Sequence, residues 1–222
     1  MMNKKNCVIF DMDGVIFDSE RACLYTWTEA ANAFGMKNIR EVFDKCIGTN
    51  NNQTRAIVEE AYAKEFGEGI SDRILSESSR LFHEKYDGGK LPVKLGVKDI
   101  LEYLKKEKIR CAVASSTREA VVRQELSDAG LVEYFEEIVG GDAVKISKPN
   151  PEIYLLACSR MKIAPANAFA IEDSYNGIRA AHAAGMRPIM VPDMIPADDE
   201  MMELSEVICD DLIKVVDYFK SI

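Results

Sequence analysis

Cys7-Val8-Ile9-Phe10 is an apolar run of only four residues that stops abruptly at Asp11-Met12-Asp13-Gly14. A run that short, closed by acids and a glycine, reads as a strand buried on both faces rather than a helix. Ile109–Ala114, Glu137–Val139, Ala168–Ile171 and Pro188–Val191 have the same character. Helical patterns separate them. Val97, Ile100, Leu101 and Leu104 fall on one helical face. Gly130 closes a helix over 119–129. Asn150-Pro151 supplies a cap and a first-position proline for another, and Ser174 caps one that Gly185 ends. Strand alternating with helix predicts an α/β fold: a doubly wound parallel sheet with helices on both faces. Residues 18–88 interrupt the alternation. They carry helical patterns near 19–34, 51–66 and 72–86 and no strand, so they read as a helical insert. The predicted division is therefore a core of 1–17 and 89–222 and an insert of 18–88.

The chain has 222 residues, 47% hydrophobic and 29% charged, which excludes a disordered polypeptide. Its 28 basic residues against 37 acidic ones give a formal net charge of −9. That balance argues against nucleic acid or an anionic membrane surface as partner. The two histidines, His83 and His182, are too few for a His-rich metal site. No apolar run approaches a membrane span or a signal peptide. The six cysteines lack metal or redox spacing, which fits a reducing compartment, and the expected location is the cytoplasm.

In an open parallel sheet, ligands bind beyond the carboxyl ends of the strands. The first strand ends in Asp11-Met12-Asp13-Gly14, the second in Ser115-Ser116-Thr117 and the fourth in Glu172-Asp173-Ser174; Lys148 follows the third. Four acids, a lysine and hydroxyls on one edge suit a divalent cation and a phosphate. Crowded carboxylates repel, a hard dication relieves them, and Mg2+ prefers oxygen ligands. Lys148, the Ser115 hydroxyl and the Ser116 N–H can hold phosphoryl oxygens. One aspartate can attack phosphorus while another manages the proton, with a tight turn at Gly14 re-aiming the second acid toward the leaving group.

Asp11-Met12-Asp13-Gly14-Val15-Ile16-Phe17-Asp18-Ser19 resembles the first motif of the haloacid dehalogenase-like superfamily. Val113-Ala114-Ser115-Ser116 resembles its second, Lys148 in Ser-Lys-Pro-Asn-Pro its third, and Glu172-Asp173-Ser174 its fourth. The four occur in family order from the first strand to about Pro192. The insert resembles the small helical cap of the branch that includes β-phosphoglucomutase. The resemblance implies a Rossmann-like core and Mg2+-dependent hydrolysis of small phosphate monoesters, sugar or polyol phosphates, through an aspartyl phosphate. Asp11 would be nucleophile and metal ligand, and Asp13 general acid/base with its carbonyl on the metal. Ser115, Ser116 and Lys148 would bind phosphate. Asp173 would be a ligand, and Glu172 either a ligand, directly or through water, or a partner that orients Lys148. Cap closure would hinge at 14–20 and 87–92. The expected partner is a small phosphorylated metabolite, and the expected state a monomer or weak dimer.

Two departures bear on the reaction. β-Phosphoglucomutase carries a histidine where this chain has Cys23 and an arginine at or near Asn51. The missing arginine favours hydrolysis over a mutase, the alternative reading, unless Lys45 or Arg55 takes its place. An acid at Asp13 argues against dehalogenation. The stretch 48–53, Gly-Thr-Asn-Asn-Asn-Gln, reads as a loop able to hydrogen-bond a polyhydroxy substrate. The serines of 115–116 are equally able to cap the following helix.

Overall fold

The computed structural model describes residues 7–47, 49 and 51–222. Two compact units divide the chain: residues 1–18 with 92–222, and residues 19–91.

The first unit is built on six parallel strands: β1 (Cys7–Phe10), β2 (Arg110–Ala114), β3 (Glu137–Val139), β4 (Ala168–Glu172), β5 (Arg187–Met190) and β6 (Val207–Ile208). Their spatial order is β3-β2-β1-β4-β5-β6. Phe10 pairs with Val113 on one side and Ile171 on the other, so the ends of β1, β2 and β4 lie level. Successive side chains point to opposite faces. Cys7, Ile9, Ala112, Ala114, Ala168 and Ala170 share one core cluster with Ile153, Tyr154, Ala157 and Cys158 of α7 (Glu152–Arg160) and Ala180 and Ala181 of α8 (Tyr175–Ala183). The alanines on that face let helix backbones approach the sheet closely. On the other face Phe169 meets Phe219 of α10 (Leu212–Ser221) edge-on at 5.0 Å, and α10 packs on α5 (Val97–Lys106). Each fully buried large aliphatic or aromatic side chain there contributes about 1.5–3 kcal/mol. Among the described residues the other α-helices of this unit are α6 (Glu119–Asp128) and α9 (Asp199–Leu204). Six-stranded parallel sheet and two-sided helix packing agree with the doubly wound α/β expectation.

The tail after Pro192 holds structure that the periodicity reading did not assign: α9, β6 and α10. Each helix is started by an aspartate cap, Asp198 accepting Met201 N–H and Asp211 accepting Lys214 N–H, both at 2.9 Å. β6 has two residues, too short for a pattern to register.

The second unit is helical: α1 (Ser19–Phe34), α2 (Ile39–Cys46), α3 (Asn51–Phe66) and α4 (Ile70–Tyr86). α1 and α3 both pack on α4. α2 was not read from the sequence, although Ile39, Val42, Phe43 and Cys46 all face inward at helical spacing. Phe43 meets Trp27 edge-on at 5.2 Å. Asn51, Asn52 and Gln53 form the first turn of α3 rather than a loop. Gly48 and Asn50 of the same stretch lie outside the described residues.

The unit boundaries fall at 18/19 and 91/92, beside the expected 17/18 and 88/89. A small bridge keeps Asp18 with the core unit. Phe17 pairs antiparallel with Val93, Asp18 N–H donates to Pro92 O at 2.8 Å, and Lys94 N–H donates to Ile16 O at 2.9 Å. These bonds fasten 16–18 and 92–94 together within the core unit. No helix among the described residues is long and apolar enough to cross a membrane.

Candidate active site

The strand order fixes where a ligand can sit. From β1 the chain steps outward to β2 and β3, then returns to the other side of β1 for β4, β5 and β6. The order reverses between β1 and β4, and the crevice at such a switch point is where open α/β sheets bind ligands. Asp11 follows β1 directly, and Glu172 ends β4. Asp11 N–H extends the pairing to Ile171 O at 2.9 Å, which holds its backbone rigidly against β4.

Lys148 reaches this crevice from the loop before α7. Its ammonium donates to Asp11 Oδ1 at 2.8 Å, Glu172 Oε1 at 2.6 Å and Ala114 O at 3.2 Å. An ammonium has three donors, and here each has an acceptor. Glu172 is wholly buried. Its Oε1 accepts from Lys148 and from the Tyr154 hydroxyl at 2.7 Å, and its Oε2 from the Ser174 hydroxyl at 3.2 Å. The Glu172 carboxylate also fills the space above Gly177: a Cβ at that glycine would lie 1.9 Å from it. Ser174 accepts Gly177 N–H at 3.1 Å and so caps α8 as expected.

Past Asp11 the chain makes a tight turn. Met12 O accepts the N–H groups of Ile16 at 2.8 Å and Phe17 at 3.1 Å, and Gly14 takes φ +77°. This turn re-aims Asp13. Its Oδ2 accepts from Thr117 Oγ1 at 2.9 Å and lies 3.4 Å from Ser115 Oγ. Ser115 Oγ accepts Thr117 N–H at 3.0 Å. Neither Ser115 nor Ser116 caps α6; the first N–H of that helix, from Glu119, goes to Asp142 Oδ1 at 2.8 Å. Ser116 stays at the end of β2, its carbonyl packed so closely on Gly141 that a Cβ there would meet it at 2.2 Å. Asp173 sits over Gly14, where a Cβ would come within 2.1 Å of its Oδ2.

Oxygens of Asp11, Glu172 and Asp173 all lie within 4.8 Å of one another. All are hard carboxylate donors, with no thiolate or imidazole among them, and the bare Cα of Gly14 leaves room for the Asp173 carboxylate. That set fits Mg2+ chemistry. Electrostatics point the same way. Burial, and then the charge of Glu172, push the Asp11 carboxyl up to about 8, against the pull of Lys148. Burial opposes the charge of Lys148 too, but the facing carboxylates of Asp11 and Glu172 outweigh it and keep the ammonium protonated. One lysine thus serves several buried acids, and a dication would offset the excess.

Thr117 and Tyr154 were not singled out as site residues by the sequence reading. Thr117 could have been found from its place at the end of β2. Tyr154 gave a weaker signal, a polar-tipped side chain on the buried face of α7.

Comparison with known proteins places the chain. The family model described as haloacid dehalogenase-like hydrolase matches residues 8–191. A phosphorylated carbohydrates phosphatase of Thermotoga maritima is 34% identical over 183 residues, spanning 82% of each chain. The β-phosphoglucomutase of Bacillus subtilis is 29% identical over 211 residues, 90% of each. Among solved structures, CbbY from Rhodobacter sphaeroides in complex with phosphate superposes with a TM-score of 0.76 at 27% identity, covering 95% of this chain and 96% of the other. With a family match that runs from β1 past β5, and with relatives named as phosphatases, this chain is an enzyme of the haloacid dehalogenase-like hydrolase family.

Proposed function

We propose that the chain is a Mg2+-dependent phosphatase of small phosphate monoesters, sugar or polyol phosphates, that works through an aspartyl phosphate on Asp11. The observation that carries the reading is Lys148. Glu172 and Ala114 take two of its donors, and the third points at the Asp11 oxygen beside an all-oxygen acid cluster. When that oxygen bonds to phosphorus, the same N–H is next to the transferring phosphoryl group.

The Asp11 carboxylate attacks phosphorus, the bond from phosphorus to the ester oxygen breaks, and Asp13 gives the departing oxygen its proton. Asp13, now a carboxylate, takes a proton from water as the water oxygen attacks the aspartyl phosphate. Phosphate leaves and Asp11 is restored. Thr117 and Ser115 hold Asp13 beside the site until the leaving group draws its proton. Ser115, Ser116 and Lys148 would grip the phosphoryl oxygens. Asp11 and Asp173, with the Asp13 carbonyl, would hold Mg2+, which supplies charge neutralisation for those oxygens. Glu172 is assigned mainly to carrying Lys148, because its oxygens are already engaged by Lys148, Tyr154 and Ser174. The helical unit, residues 19–91, would act as the cap that selects the ester.

A panel of sugar, polyol, nucleotide and carboxylate phosphates, assayed for released phosphate with Mg2+ and with EDTA, tests the reading. Release from sugar or polyol phosphates that EDTA abolishes is the expected result; no metal-dependent release from any ester refutes it. The likeness to the Bacillus β-phosphoglucomutase keeps a mutase as second reading. Half-buried Cys23 and exposed Asn51, at or near positions where that branch carries histidine and arginine, favour hydrolysis. Conversion of a sugar 1-phosphate to its 6-phosphate, without free phosphate, would decide for the mutase.

A further inference from the structure

We infer that Tyr154 is a positioning residue for phosphoryl transfer, its hydroxyl fixing the Glu172 oxygen that carries Lys148. The inference rests on the phosphatase reading above and adds a residue to it.

Tyr154 is fully buried on the inner face of α7, among Ile153, Ala157 and Cys158. Its ring serves the core as a phenylalanine would. The hydroxyl is the feature that core packing does not call for, since a buried O–H needs a partner to offset its desolvation. Here it has one in the site: Glu172 Oε1 at 2.7 Å, the same oxygen that accepts from Lys148 at 2.6 Å. The Lys148 ammonium also lies 5.1 Å from the centre of the Tyr154 ring, within cation–π range. Tyr154 therefore engages both members of the pair.

The terminal torsion of a glutamate is soft, so a carboxylate holding a lysine at one oxygen can rotate. Two residues besides Lys148 oppose rotation. Ser174 donates to Oε2 and Tyr154 donates to Oε1. Of the two only Tyr154 acts on the oxygen that carries Lys148. Without its hydroxyl that oxygen has one donor in place of two, and it draws Lys148 away from Asp11. The loop that bears Lys148 runs directly into α7, where Asn150 Oδ1 accepts Glu152 N–H at 3.0 Å. Lysine and tyrosine thus ride on one short piece of chain, and Glu172 on β4 is held from the other side.

The test is Tyr154→Phe in the full chain, with Mg2+ and p-nitrophenyl phosphate. One lost hydrogen bond to a charged group should lower kcat about tenfold and leave KM within about twofold, because the geometry matters most at transfer. The inhibition constant of orthovanadate, a transferring-group mimic, should rise about tenfold, while that of inorganic phosphate moves by less than about twofold. Both constants are independent of how much protein is folded, so a role confined to stability would leave them unchanged. An active wild type with Tyr154→Phe matching it in kcat and vanadate inhibition overturns the inference alone. A wild type inert toward every ester overturns the phosphatase reading and this inference with it.

Discussion

Gly14→Ala should separate the cost of a strained backbone from the cost of a displaced metal ligand, with Gly185→Ala as its control. The two glycines have nearly the same left-handed backbone, φ +77° and +76°. A Cβ at Gly185 meets nothing within 4 Å, whereas one at Gly14 lies 2.1 Å from Asp173 Oδ2. Left-handed geometry costs an alanine about 1–2 kcal/mol. Restricting the unfolded chain returns about 0.4–1 kcal/mol. Both variants should therefore lose about 1 kcal/mol from this source, or about 2–4 °C in melting temperature for a chain of this size. Only Gly14→Ala must also drive the Asp173 oxygen from 2.1 Å to an ordinary contact of 3.4 Å or more. Disturbing the support of a metal ligand typically costs about 10–100-fold in metal affinity. Mg2+ titrations of p-nitrophenyl phosphate hydrolysis should show that rise in half-saturating concentration for Gly14→Ala and none for Gly185→Ala. Superimposable Mg2+ curves for the two variants would refute the placement of Asp173 as a ligand over Gly14.

Asp11→Asn should abolish turnover while the far-ultraviolet dichroism stays that of the wild type; a variant with near-normal rate removes the nucleophile. In EDTA, wild-type stability should fall as pH rises from about 4 toward about 8. The fold keeps the Asp11 proton up to about 8, whereas the unfolded chain releases it near 4, so the native state binds more protons in that window. Melting temperatures across that range should decline in the wild type and flatten in Asp11→Asn; equal slopes would contradict the raised Asp11 value. Asp13→Ala should lose hydrolysis of poor leaving groups and accumulate phosphoenzyme, stable to acid quench and cleaved by hydroxylamine, from p-nitrophenyl phosphate. Undiminished turnover of an alkyl phosphate by that variant would show that the proton comes from elsewhere.

Much of the core was legible because its signals are local. The β1 run ends where it meets Asp11, and the β4 run ends where it meets Glu172 and Asp173. Parallel strands share a direction, so strand ends far apart in sequence converge on one edge. Loop-borne Lys148 was found by its motif. What was lost depended on three-dimensional partners. β6 is too short to show a period, and Asp142 caps α6 from a distant segment in place of Ser115 or Ser116. Tyr154 is an ordinary core residue until its hydroxyl is seen to meet Glu172. A link from Glu172 to Lys148 was expected; the Tyr154 hydroxyl on the same oxygen was not.

The central place of β1 also sets an order of events during synthesis. Cys7 must pair with Arg110 and Ala168, so the first strand to leave the ribosome waits longest for its neighbours. The contiguous helices of 19–91 make their internal contacts within one stretch of sequence, which is complete before β2 is translated. Distant pairings of this kind form slowly and leave apolar edges exposed meanwhile. A nascent chain halted short of Glu172 would carry β1 without its β4 neighbour, a state for which chaperones and proteases compete.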